Sequence, residues 1–154
     1  MSTRTFFRYY PTKADVLLRD QVERRAMVEA FLAARPPHEP IMESLRALMW
    51  AVSDELPPIR HLLQAQFRWS EESDLLLAAI RNHHAQVVDV VTDFIASRLD
   101  TPDPLGGRAR AIATACIATL LAVSAEWLLA DPAPEKPDIQ SGIESLEAEI
   151  VVPG

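Results

Sequence analysis

The sequence predicts an all-α protein, and three observations carry that expectation. Only four glycines occur in 154 residues, so the backbone has few places to turn through conformations that other residues avoid. The twelve prolines gather in clusters such as Pro36-Pro37, Pro57-Pro58 and Pro132-Ala133-Pro134, which makes them punctuation between elements. Between the clusters, apolar residues recur at three- and four-residue intervals, and no strand-like alternation is sustained. The length suits one ordinary domain with a sizeable core.

Each element follows from its local pattern. Thr3 to Tyr10 allows two helical turns, closed by Pro11, because a residue before proline avoids the α region. Thr12 is a natural N-cap and Asp15 completes a capping-box-like pair. Val16, Leu17, Val22, Ala26, Met27, Ala30 and Phe31 then keep helical spacing to about Arg35, where two prolines stop the helix. A helix from about Pro40 to Leu56 turns Ile41, Leu45, Leu48, Met49 and Val52 inward, with proline near its first turn.

After Pro57-Pro58 a short helix covers Ile59 to Phe67. Ser70 is expected to cap the next, with Glu71 and Glu72 in the first turn where the helix dipole favours negative charge. Its apolar series runs from Leu75 through Ile80, Val87, Val91 and Ile95 to Leu99. A turn at Asp100-Thr-Pro-Asp-Pro leads to a long helix over Leu105–Ala130, and a weak acidic helix over Ile139–Ile150 ends the chain. The expected product is a bundle of six to seven helices.

Composition narrows the function. The single Cys116 excludes an internal disulfide framework and fits a reducing compartment. The N-terminus has no apolar signal core, and the window from Ala109 to Ala130 is interrupted by Arg110, Thr114, Thr119, Ser124 and Glu126. A buried helix rather than a membrane span is expected there, and the protein is read as cytoplasmic. The formal charge is −7, which excludes a protein that coats nucleic acid indiscriminately. The charge is unevenly spread, however. Met1 to Arg35 carries seven basic residues against four acidic ones, and the remainder eight against eighteen. A basic end on an acidic body suits a protein whose one end meets phosphate.

Catalytic patterns are missing. His83 and His84 are adjacent, so on a helix they diverge by roughly a hundred degrees and cannot chelate one metal side by side. No Glu-x-x-His ligand set and no glycine-rich phosphate loop occurs, and Gly106-Gly107 is only a loop or helix-start pair. No catalytic residue, metal or cofactor is expected.

The first residues carry the one specific signature. Thr3-Arg4-Thr5-Phe6-Phe7-Arg8-Tyr9-Tyr10-Pro11-Thr12-Lys13 resembles the recognition helix and following turn of the TetR family of transcriptional regulators, and Lys13-Ala-Asp-Val-Leu-Leu resembles the start of that family's next helix. The resemblance implies a DNA-reading set of Thr3, Arg4, Thr5, Phe7, Tyr9, Thr12 and Lys13. Thr3, Arg4 and Thr5 would face base edges, and Arg4 could read guanine through both prongs of its guanidinium. Tyr9 and Lys13 would meet phosphates, aided by the helix N-terminus at Thr12. Where the family commonly has a tyrosine this chain has Phe7, which removes one phosphate hydrogen bond.

The resemblance also implies two preceding helices, so residues 1–34 read as the remnant of a truncated helix-turn-helix head and 35–154 as a ligand-binding and dimerisation domain. A recognition helix of two turns cannot hold itself in water, and specific DNA binding by the chain as given is expected to be poor. A small apolar effector would release the repressor, held among Met27, Phe31, Met49, Trp50, Phe67, Trp69 and Phe94. A homodimer would form through Leu105–Ala130 and Ile139–Ile150, with alanines 109, 113, 118, 122 and 125 allowing close approach. The alternative is a helical dimerisation or small-molecule-binding module that meets no DNA.

Overall fold

The computed structural model describes residues 13–150, with side chains over 21–148. Among the described residues there are six α-helices, one 3-10 turn and no strand. The helices are α1 (Lys13–Ala33), α2 (Ile41–Glu55), α3 (Arg60–Glu72), α4 (Asp74–Ala96), α5 (Gly107–Leu129) and α6 (Ile139–Ile150), with the 3-10 turn at Pro57–Ile59. The expected helix over Thr3–Tyr10 and the cap at Thr12 lie outside the described residues.

Proline sets most of the boundaries. Pro40 stands at the N-cap of α2 with an extended backbone, and Pro57 and Pro58 open the 3-10 turn that bends the chain into α3. The expected break at Ser70 is corrected. Helix α3 continues to Glu72, where Ser70 Oγ donates back to the Phe67 carbonyl at 2.7 Å. Ser73 is the cap instead: its backbone is extended and its hydroxyl accepts from Leu76 N at 3.3 Å. That choice places Asp74 in the first turn, where the dipole favours it, and turns Leu76 inward. Helix α4 stops at Ala96, short of Leu99. Helix α5 starts at Gly107 rather than Leu105, because Gly106 takes a left-handed φ of 64°. The Asp103 carboxylate then accepts from Ala109 N at 3.0 Å.

Helices α4 and α5 pack side by side at the centre. Val91 and Ile95 of α4 meet Ala109, Ala113 and Cys116 of α5, all fully buried. Helix α1 lies against α4 and supplies Val28 and Leu32, while α2 adds Leu45, Leu48 and Met49. Helix α6 packs on α5 and α2 and adds Ile139 and Ile143 to the same core. Polar ties fix the rim: Arg98 donates to the Pro36 and Arg35 carbonyls at the α1–α2 corner, and Arg46 pairs with Glu147 to join α2 to α6.

By length and composition alone, Gly107–Leu129 would suffice to cross a membrane, which the sequence reading did not grant it. In the fold it is the central helix, seated through Ala109, Ala113, Cys116, Ile117, Leu120 and Trp127.

Candidate functional site: an internal chamber

Helices α1 to α5 surround a chamber of about 410 Å³, within the size range of small-molecule sites. It exists because α3 roofs the bundle without plugging it: no residue of Arg60–Glu72 is buried. The roof is anchored at one end. Arg60 Nη2 donates to the carbonyls of Trp127, Leu128 and Ala130 at 3.2–3.3 Å, and Gln64 Nε2 donates to Leu128 O at 3.0 Å. These bonds satisfy carbonyls that the end of α5 leaves open. The Arg60 guanidinium also lies 5.2 Å from the Trp127 ring centroid, and Trp127 Nε1 donates to Pro134 O at 2.8 Å.

The walls are mainly apolar, with Met27 from α1, Leu48 and Met49 from α2, Leu77 from α4, and Leu120 and Leu128 from α5. A few polar groups interrupt them. Gln21 and Arg24, one helical turn apart on α1, share the lining with Arg81, His83 and His84 of α4. Gln21 is buried, whereas Arg81 is exposed and so stands where the chamber opens. Burial first, and the nearby positive charge of Arg24 second, hold the His84 imidazole below its ordinary pKa, which leaves it uncharged at neutral pH. Among the residues whose side chains are described, no Asp or Glu lines the chamber.

Hydroxyls on the lining are mostly spent locally: Ser124 Oγ donates to Leu120 O at 2.7 Å, as Ser70 does to Phe67. Gln66 differs. Its Nε2 is buried without a hydrogen-bond partner on the chamber wall, a state that costs free energy until an acceptor arrives. Cys116 also borders the space, but burial pushes its thiol up to about 12. A thiol so held is a poor nucleophile near neutrality. Among the described residues no group of three or more His, Cys, Asp or Glu could hold a metal ion.

Of the residues expected from the sequence to contact an effector, Met27, Met49 and Phe67 line the chamber, and Phe67 is 41% exposed. Phe31, Trp50, Trp69 and Phe94 do not. Three of these rings are covered from outside by cations: Arg35 lies 5.5 Å from the Phe31 centroid, Lys136 5.1 Å from Trp50 and Arg98 4.3 Å from Phe94. Thr3, Arg4, Thr5, Phe7, Tyr9 and Thr12 lie outside the described residues. Lys13 begins α1, and its side chain is likewise outside them.

The sequence reading missed Gln21, Arg24, Gln66, Arg81 and His84. Its usable signal was a set of polar residues at positions where an apolar stripe should continue. On α4, His84 falls between Ile80 and Val87.

Outside the chamber, α5 presents Ala111, Thr114, Ala118, Ala122 and Leu129 to solvent, with Leu129 66% exposed, while Leu121, 38% exposed, also borders the chamber. The alanines expected to allow close helix approach therefore divide. Ala109 and Ala113 are inside the core, Ala125 is half-buried, and Ala118 and Ala122 are outside.

A bundle of helices wrapped round an internal chamber, with an apolar stripe exposed on one of its two central helices, defines the class of all-α regulatory-type domains. The model of the MftR C-terminal domain, a TetR-type regulatory domain, matches residues 39–150. The chain belongs to the TetR family through this C-terminal regulatory domain. No curated protein and no solved structure matches it.

Proposed function

We propose that the chain is a cytoplasmic transcriptional regulator of the repressor type, not an enzyme, whose chamber takes a small apolar effector. The observation that carries this reading is that α1, the helix following the segment that resembles a DNA-recognition helix, forms one wall of the chamber. An occupant that prefers one position of α1 over another shifts the balance between two states of the segment before it. The effect can be no larger than the occupant's difference in affinity for the two states.

Residues 1–34 form the DNA-facing part in this reading, with Thr3, Arg4, Thr5, Phe7, Tyr9, Thr12 and Lys13 at the DNA, and 35–154 the sensing and dimerising part. The exposed stripe of α5, together with α6, joins two copies about a twofold axis. Burying that stripe gives the exposed Leu129 an apolar neighbour.

The test combines dye binding, thermal unfolding and sedimentation. An environment-sensitive apolar dye should bind one site per chain. At about a hundred times its Kd a single-site ligand adds about 2.7 kcal/mol, which raises Tm by roughly 5–11 °C for a chain of this size. Sedimentation should give a dimer that Leu129→Glu dissociates. A monomer that binds no dye overturns the proposal.

A further inference from the structure

We propose that the chamber's occupant is a neutral, largely apolar molecule carrying a carbonyl-type hydrogen-bond acceptor, and that Gln66 on the roof helix is the donor that recognises it. The inference rests on the reading of the chamber as an effector site and adds one requirement to the effector's chemistry.

Among the described residues, three side-chain polar atoms are buried without a hydrogen-bond partner: Ser53 Oγ, Arg60 Nε and Gln66 Nε2. Ser53 and Arg60 do not line the chamber, and Arg60 Nη2 is engaged on the carbonyls at the end of α5. Gln66 does line it, between Leu63 and Ser70, which stand about one turn away to either side on the same face of α3. Ser70 and Ser124 donate to carbonyls of their own helices, and Arg24 and His83 have interaction partners as well, so none of these four waits for an acceptor as Gln66 does. An amide N–H turned away from water and left unpaired costs free energy, which an acceptor inside the chamber returns. The amide reaches that acceptor by turning about χ3, a broad torsion. A hydrocarbon leaves the nitrogen unpaired. An ion asks too much of it, because an amide N–H carries no charge and does not offset the desolvation of one. The rest of the molecule is apolar, as the walls formed by Met49, Leu77, Leu120 and Leu128 require.

Three ligands of one shape separate the possibilities, since they differ only in the group that bridges two phenyl rings. Benzophenone offers an acceptor, diphenylmethane neither acceptor nor donor, and diphenylamine a donor. Each is titrated calorimetrically into the full chain and into Gln66→Leu. Benzophenone should bind the native chain about tenfold tighter than diphenylmethane, a difference of about 1.4 kcal/mol, and diphenylamine no tighter than diphenylmethane. Gln66→Leu should bring benzophenone to within about twofold of diphenylmethane. Diphenylmethane binding also serves as the control that the variant is folded, and the order found with the native chain tests the proposal by itself. If benzophenone gains nothing over diphenylmethane, if diphenylamine binds tightest, or if Gln66→Leu keeps the preference, the acceptor requirement is disproved and the chamber remains an apolar effector site. If none of the three binds, the effector-site reading falls, and this inference with it.

Discussion

Two faces of α5 are built from the same small and aliphatic residues and do opposite things. Toward α6 the packing is tight enough that Gly142 is required: a Cβ there would stand 2.8 Å from Val123 Cγ2 and 3.2 Å from Thr119 Cγ2. Toward α3, Leu120, Ser124, Ala125 and Leu128 border about 410 Å³ of open space. Apolar content does not separate the two faces. What opposes them does. Helix α6 drives Ile139, Ile143 and Leu146 into the bundle, all buried, whereas no residue of α3 is buried as a whole and the helix is held by Arg60 and Gln64 at the end of α5. The protein closes one side by side-chain packing and keeps the other open with a hydrogen-bonded strut.

The comparison is tested most severely by truncation. Ile139 is fully buried, so Ile139→Ala should cost about 2–5 kcal/mol. Leu77→Ala, on the chamber wall, enlarges a space that already exists and should cost less than half as much. Chemical denaturation of the two variants checks this, and equal losses would mean that the chamber side is packed like the seam. The seam can also be overfilled. Gly142→Val gains helix propensity but must push Val123 and Thr119 aside, and a net loss of about 1–3 kcal/mol is expected. The reverse holds across α5: Ala125→Leu projects into open space and should alter stability by less than about 1 kcal/mol, while abolishing binding of an apolar dye.

How far the sequence reveals this division depends on the side. The core is legible on α2 and α4, because Leu45, Leu48, Val91 and Ile95 repeat at helical spacing and each falls inside. Helix ends were legible where proline stands and less so where two serines compete. Ser70 and Ser73 both precede an acid, and only the burial of Leu76 decides for the second. The chamber was partly hidden. Selecting its lining by side-chain size brings in Phe31, Trp50 and Phe94, yet a ring's size says nothing of its direction, and arginine and lysine head groups lie over these rings instead. The better guide is a polar residue interrupting an apolar stripe, as Gln21, Arg24 and His84 do. Such a residue must find a partner, and a packed seam would have excluded it.

The smallest expected effect separates the two sides by pH. Among the titratable groups with a depressed pKa, His84 faces the chamber, and burial is the main cause, with Arg24 adding to it. Its folded-state value lies below the ordinary 6.5 of the unfolded chain, so between those two values the unfolded chain binds more protons than the folded one. Stability from this group is complete above about pH 6.5 and is lost as pH falls through the depressed folded value. Glu39 titrates lower, because the Arg35 hydrogen bond and then the Ser44 hydroxyl hold its carboxylate below the usual range. Its contribution is present above about pH 4.3 and is lost only as pH falls further. Lowering the pH from 7.5 to 5.5 should therefore reduce Tm through the chamber and leave the Arg35–Glu39 corner intact. His84→Gln should flatten the Tm profile across that interval, and Glu39→Gln should lower Tm without changing its slope there. A slope unaffected by His84→Gln would mean that the imidazole is as well solvated as a surface histidine, and that the chamber is open to water along the α1–α4 edge.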